Sequence, residues 1–255
     1  MDLKLDSIGH SYGDLEILRD ISLDIPKGKI VCIIGPSGCG KSTLLRMIGG
    51  LEQPGRGQIL QIGDVPDGCL NPLTYVFQDF ALLPWRTVEG NIQLVLEDHR
   101  LGAQQTEAII ADVLARTKLS DFRQALPKQI SGGMKQRVAL ARALAVNPAV
   151  MLMDEPLSAL DSQTRELLMG DLVALWEREP FTAVYVTHNL NEAVRLGHSI
   201  VLLSRRPGRI REIVEIDTPL ADRTLGDPEL ERKQVQLWQL MRDEAVAADQ
   251  ELLSV

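Results

Sequence analysis

At the start of the chain apolar and polar positions alternate. Residues 3–8, 15–18 and 21–25 are short alternating runs separated by Gly and Asp, which predicts a small antiparallel sheet with one wet face. The pattern then changes. Residues 29–34 form a nearly continuous apolar run, as in a strand buried on both faces, and lead through a glycine loop into a helical stretch, residues 42–48, that Gly49 and Gly50 end. Residues 149–153 and 182–186 repeat the buried-strand pattern and close on polar residues, which predicts one parallel sheet with chemistry at its strand ends. In residues 91–145, Ile109, Ile110, Val113 and Leu114 recur at helical spacing, so residues 84–148 read as a mostly helical lobe inserted into the sheet domain. The predicted fold class is α/β, with one domain over residues 1–216 and a tail, 217–255. The tail carries an amphipathic helix with Leu230, Leu237, Trp238 and Met241 near one face, and the apolar surface around Trp238 is expected to pack against the domain.

Composition narrows the function classes. The 255 residues are 45% hydrophobic and 24% charged, enough apolar material for a sizeable core. A net charge of -8 argues against a broad basic surface for nucleic acid. Cys32, Cys39 and Cys69 form no CxxC pair, which suggests neither a disulfide framework nor a zinc site and fits a reducing cytoplasm. No stretch approaches the roughly 18 apolar residues of a membrane span, and no basic start precedes an apolar run, so a membrane role requires a partner.

The strongest chemical signal is the loop Gly35, Pro36, Ser37, Gly38, Cys39, Gly40, Lys41, Ser42, Thr43, which satisfies GxxxxGK[ST]. Backbone without Cβ atoms can curl its amides around a phosphate chain, and the helix that follows adds free N–H groups and partial positive charge. The loop predicts a site for a nucleoside triphosphate, ATP, with its magnesium ion. Lys41 reaches the β and γ phosphates and Ser42 coordinates the metal. Cys39, beside Lys41 at a helix N-terminus, is expected to favour the thiolate, so that its alkylation blocks ATP binding and bound ATP protects it. Downstream, residues 150–155 end an apolar strand in two carboxylates, a costly placement unless cations or hydrogen bonds receive them. Asp154 is the candidate magnesium ligand, through a water, and Glu155 the general base that polarises the attacking water.

Residues 130–137, Ile-Ser-Gly-Gly-Met-Lys-Gln-Arg, begin a helix running to about Ala145, with Ser131 as its cap and Gly132 and Gly133 leaving its N-terminus open to an anion. In order along the chain, the phosphate loop, this segment, Asp154 with Glu155, residues 158–161 (Ser-Ala-Leu-Asp) and Thr187 with His188 resemble the ATP-binding cassette ATPases over nearly all of residues 3–216. The resemblance implies a P-loop NTPase, RecA-like core with a small antiparallel β subdomain and an inserted helical lobe. It also implies that Tyr12 stacks on adenine, that Gln78 senses magnesium and the attacking water, and that His188 contacts the γ-phosphate. It further implies a head-to-tail homodimer in which Ser131, Gly132 and Gly133 of one subunit cover the ATP of the other, with Asp161 crossing the interface. One phosphate loop and one such segment per chain fit that arrangement. Ile130 and Met134 depart from the usual LSGGQ and leave its serine and glycines intact.

Residues 81–88 follow Gln78 and gather Leu, Trp and Arg in a proline-containing loop, a composition suited to a partner helix or to a staple inside the helical lobe. This loop and residues 204–210 resemble the importers for nitrate, sulfonates and taurine. The likeness implies a peripheral ATPase at the cytoplasmic face of the bacterial inner membrane, beneath two integral permease subunits fed by an extracytoplasmic solute-binding protein. Three rivals share parts of the pattern. A cassette ATPase in lipid trafficking or cofactor assembly would differ in the docking loop, and an exporter half would carry its own membrane helices. A GTPase would need Asn-Lys-x-Asp, and no Asn here precedes Lys.

Overall fold

A computed structural model of the protein describes residues 1–224 and 226–252. In chain order its main elements are β1 (Asp2–Tyr12), β2 (Leu15–Ile25), β3 (Ile30–Ile34), α1 (Lys41–Ile48), β4 (Arg56–Ile62), β5 (Leu73–Val76), α2 (Val88–Gln93) and α3 (Ala103–Arg116). They continue with α4 (Gly132–Ala145), β6 (Val150–Asp154), α5 (Ser162–Arg178), β7 (Thr182–Val186), α6 (Leu190–Leu196), β8 (Ser199–Leu203), β9 (Ile210–Glu215) and α7 (Pro228–Leu252). The chain forms two compact units, one of Met1–Asp64 with the chain from Pro180 onward, the other of Val65–Glu179.

In the first unit, β2, β1 and β4 make an antiparallel sheet. Two features differ from the sequence reading. The runs 15–18 and 21–25 are a single strand, β2, which continues through Asp20 at φ 53°, and β1 likewise continues through Ser7 at φ 52° with register shifts around it. The third strand, β4, is almost entirely exposed, so no buried alternation marks it in the sequence. It fits against the β1 bulge through Gly57, where a Cβ would stand 2.3 Å from the Asp6 carbonyl oxygen.

The same unit holds the strands β7, β3, β8 and β9. All five residues of β3 are buried, and β3 pairs in parallel with both β7 and β8. β9 returns antiparallel along β8. Packing against α6 anchors α7, with Leu230 and Leu237 buried. Trp238 corrects an expectation. One residue past Leu237 it turns about 100° around the helix, stays 53% exposed and is covered by the Arg242 guanidinium 5.6 Å from its ring centroid.

In the second unit β5 and β6 are parallel, with Val76 opposite Met153, so both strands point their C-terminal ends the same way. The helices α2, α3 and α4 pack on one another, and α4 also meets α5. The last contact is close because Gly133 has no side chain: a Cβ there would lie 2.5 Å from a Thr164 methyl carbon.

His198, just before β8, makes stability depend on pH. Its Nδ1 accepts the Ile30 amide at 3.1 Å, and burial, with Lys29 and Arg223 nearby, lowers its pKa to about 4. The folded state therefore keeps the ring neutral while the unfolded chain takes up a proton below its ordinary pKa of about 6.5. The contribution is complete above that value and is lost as pH falls toward about 4. We expect His198→Asn, which keeps an acceptor for Ile30, to flatten the fall in urea midpoint between pH 7 and pH 4. An unchanged slope would remove this histidine from the account.

Candidate nucleotide site

The phosphate loop leaves the buried β3 and ends on α1. Its turn is made by three glycines at positive φ, Gly35 at 154°, Gly38 at 75° and Gly40 at 103°. Gly40 is the N-cap residue of α1 and no side chain caps the helix, which leaves first-turn amides available to an anion. Lys41 is 8% exposed and its Nζ donates to the Gly35 and Pro36 carbonyls at 2.9 and 3.0 Å. The ammonium is thus held at the loop's own curl, where phosphate oxygens would compete for it.

Cys39 behaves differently from expectation. Its side chain is fully buried under the loop, within 2.9 Å of where a Gly35 Cβ would stand. Burial pushes the thiol up, and this outweighs the opposing effect of Lys41. Cys39 is a packed thiol rather than a reactive thiolate, so the expectation of ready alkylation does not hold.

Two further candidates lie in the same unit. His188 follows β7, and the adjacent Thr187 amide donates to the Ile33 carbonyl at 3.2 Å, so His188 and the phosphate loop leave neighbouring strands. The ring is exposed rather than a core histidine. Its backbone is fixed by a residue absent from the sequence reading: buried Glu192 accepts the Tyr185 and Thr187 hydroxyls at 2.9 and 2.8 Å, and Asn189 caps α6. Tyr12, 46% exposed, packs edge-on to His10. Its hydroxyl accepts from Arg46 at 3.1 Å, and Arg46 also reaches the Thr43 hydroxyl at 3.3 Å, linking the aromatic to the end of the phosphate loop. Hydrogen bonds from Tyr12 and Arg46 hold the Glu52 carboxyl below its usual range.

The other unit carries the remaining candidates. Gln78 follows β5 and is exposed. Asp154 ends β6 and accepts the Tyr75 hydroxyl at 3.1 Å. Glu155 sits at φ 44°, a left-handed conformation rare for a residue with a side chain, locked by bonds from the Ser158 amide and hydroxyl to its carbonyl at 3.1 and 2.8 Å. Ser131 caps α4 by accepting the Met134 amide at 3.3 Å. Gly132 is exposed, and Gly133 is buried where α4 meets α5. Asp161 caps α5, and the Thr164 amide holds its carboxyl below the usual range.

The loop after Gln78 is held by a frame of hydrogen bonds. Buried Asn91 bonds to Leu83, Arg86 and Thr87 backbone groups, and Arg142 donates to the Ala81 and Phe80 carbonyls. This frame leaves Trp85 73% exposed. Among the described residues no helix is long and apolar enough to cross a membrane.

The profile of the ABC transporter family matches residues 18–158, the stretch from β2 through the phosphate loop to the turn after Glu155. The chain belongs to the ABC transporter ATPases. This ABC ATPase is 43% identical over 203 residues to an uncharacterised ABC transporter ATP-binding protein of Methanocaldococcus jannaschii, covering 80% of this chain and 76% of that one. It is 40% identical over 207 residues to an aliphatic sulfonates import ATP-binding protein of Bacillus cereus, covering 81% of each. Among solved structures it matches a dimeric bacterial ABC transporter cassette with a TM-score of 0.71 at 35% identity, over 84% of this chain and 98% of that one. A post-hydrolysis state of that cassette, bound to ADP and Pi, matches with a TM-score of 0.70 at 34% identity over the same shares. The ABC ATPase thus shares the P-loop NTPase fold and hydrolyses ATP.

Proposed function

We propose that this ATPase energises a bacterial importer for a small solute of the nitrate, sulfonate or taurine type. It works as a homodimer with opposed ATP sites at the cytoplasmic face of the inner membrane, below two permease subunits that receive solute from an extracytoplasmic binding protein. The observation that carries the reading is Trp85, held out by a framed loop, in a chain akin to an aliphatic sulfonate import protein. An exposed aromatic on a rigid frame is the kind of anchor that a partner helix buries. In this reading residues 1–216 are the ATPase domain, with residues 84–148 as its helical lobe.

Each site residue then has a task. The phosphate loop, residues 35–43, wraps the triphosphate, Lys41 turns from its own carbonyls to the β and γ phosphates, and Tyr12 stacks on the base. Ser42, Gln78 and Asp154 offer hard oxygen donors that would hold a magnesium ion, whose charge would offset that of the phosphates. Glu155 accepts the proton of the attacking water as its oxygen bonds to the γ phosphorus and the bond to the β-phosphate oxygen breaks. His188 steadies the γ-phosphate. Ser131, Gly132 and Gly133 of the opposite subunit cover it, and Asp161 lies at that interface.

Two measurements test these assignments. Glu155→Gln is expected to keep ATP affinity, lower turnover by ~10² to 10⁴ and accumulate the ATP-bound dimer; hydrolysis at the parental rate would refute its role as base. Trp85→Ala is expected to lose co-purification with the partner permease while retaining ATP binding. Undiminished permease capture would refute the docking loop.

A further inference from the structure

The loop between β8 and β9, residues 204–209, lies against the outside of the phosphate loop, and no catalytic motif includes it. It is closed on itself by the Ser204 amide donating to the Arg209 carbonyl at 2.9 Å and the Arg209 amide donating to the Ser204 hydroxyl at 3.1 Å. It is fixed to β2 by the Gly208 amide donating to Ile17 at 2.8 Å and the Arg19 amide donating to Gly208 at 3.0 Å. From this seat it touches the phosphate loop at successive points. The Leu203 carbonyl oxygen lies 2.8 Å from where a Gly35 Cβ would be. Arg206 Nε donates to the Gly38 carbonyl at 3.3 Å, and a Cβ on Gly208 would stand 2.2 Å from the Cys39 carbonyl oxygen. Gly208 has no positive φ, so it is space and not conformation that requires glycine there.

The other side of this loop is held by α7. The Glu244 side chain is only 10% exposed, a position that costs free energy for a carboxylate unless it is well paired. It accepts the Arg205 amide at 2.8 Å and a short hydrogen bond from Arg211, and it lies 3.8 Å from the Arg205 guanidinium. Arg211 in turn donates to the Leu240 carbonyl of α7 at 3.2 Å. Leu230 and Leu237 pack the helix, and the buried carboxylate of Glu244 pairs with Arg205 of the loop and Arg211 of β9.

We propose that α7 sets the shape of the phosphate loop through the 204–209 loop, with Glu244, Arg206 and Gly208 as positioning residues for ATP binding. The inference rests on the phosphate loop being the ATP site. The loop's glycines are free to take other conformations, and each external contact removes some of that freedom before the nucleotide arrives. The tail helix thereby acts on nucleotide affinity without touching the nucleotide.

The test is ATP titration and steady-state hydrolysis with the full-length chain and magnesium. Glu244→Ala and Arg206→Ala are each expected to raise Kd and KM for ATP about three- to tenfold while kcat at saturating ATP is retained. Glu244→Gln, which keeps an oxygen for the Arg205 amide, is expected to recover part of the loss, and Gly208→Ala to weaken ATP most. Arg206 is exposed, so its variant folds even if the Glu244 variants do not. Parental Kd and KM in Arg206→Ala, or in a folded Glu244→Ala, would overturn the proposal. Lys41→Ala, run alongside, separates that result from a failure of the ATP site itself.

Discussion

A main chain can bend around a polyphosphate only where side chains are missing, and here the bend between β3 and α1 is packed from behind as tightly as it must open in front. Gly35 faces the Leu203 carbonyl and the Cys39 sulfur, and Gly40 faces Leu18 and Ile17 of β2. Cβ atoms at these positions would collide with backbone or core, so the sheet beneath it limits the curl to residues without side chains there. The buried Lys41 ammonium adds the counterpart, donating to two carbonyls of the same loop. A charge held by neutral acceptors in a confined site is poised for a stronger, anionic acceptor.

Other parts of the molecule use buried polar groups to aim exposed ones. Glu192 fixes Thr187 and leaves His188 outside, Asn91 and Arg142 frame Trp85, and Ser158 holds Glu155 in a left-handed conformation. In each case hydrogen bonds from buried or half-buried groups set the geometry of a residue that itself remains at least partly accessible. Rigid first contacts of this kind reduce the ordering cost when a nucleotide or partner arrives.

How much of this was legible in the sequence follows from what makes a sequence signal. The phosphate loop, the carboxylates at the end of β6 and the serine cap of α4 are local, so spacing alone marks them. Fully buried strands such as β3 and β7 announced themselves by continuous apolar runs. β4 did not, because an exposed strand need carry no alternation. Cys39 reads as reactive because a helix N-terminus is visible in sequence while burial beside Gly35 is not. Trp238 reads as buried in the sequence, yet one residue of helical phase separates it from Leu237. Glu192, Asn91 and Gly208 were missed because each acts through partners brought close only by the fold, although the glycine within residues 204–210 was visible and unexplained.

The central claim is that the curl of backbone between β3 and α1, completed by Lys41, is what holds the triphosphate. Calorimetric titration of the purified chain with magnesium ATP, beside Lys41→Ala, tests it most directly. The account requires saturable one-to-one binding to the parental protein and a loss of at least about tenfold in affinity when the charged donor is removed. Equal affinity in the two proteins, or no binding to the parental chain, would contradict it.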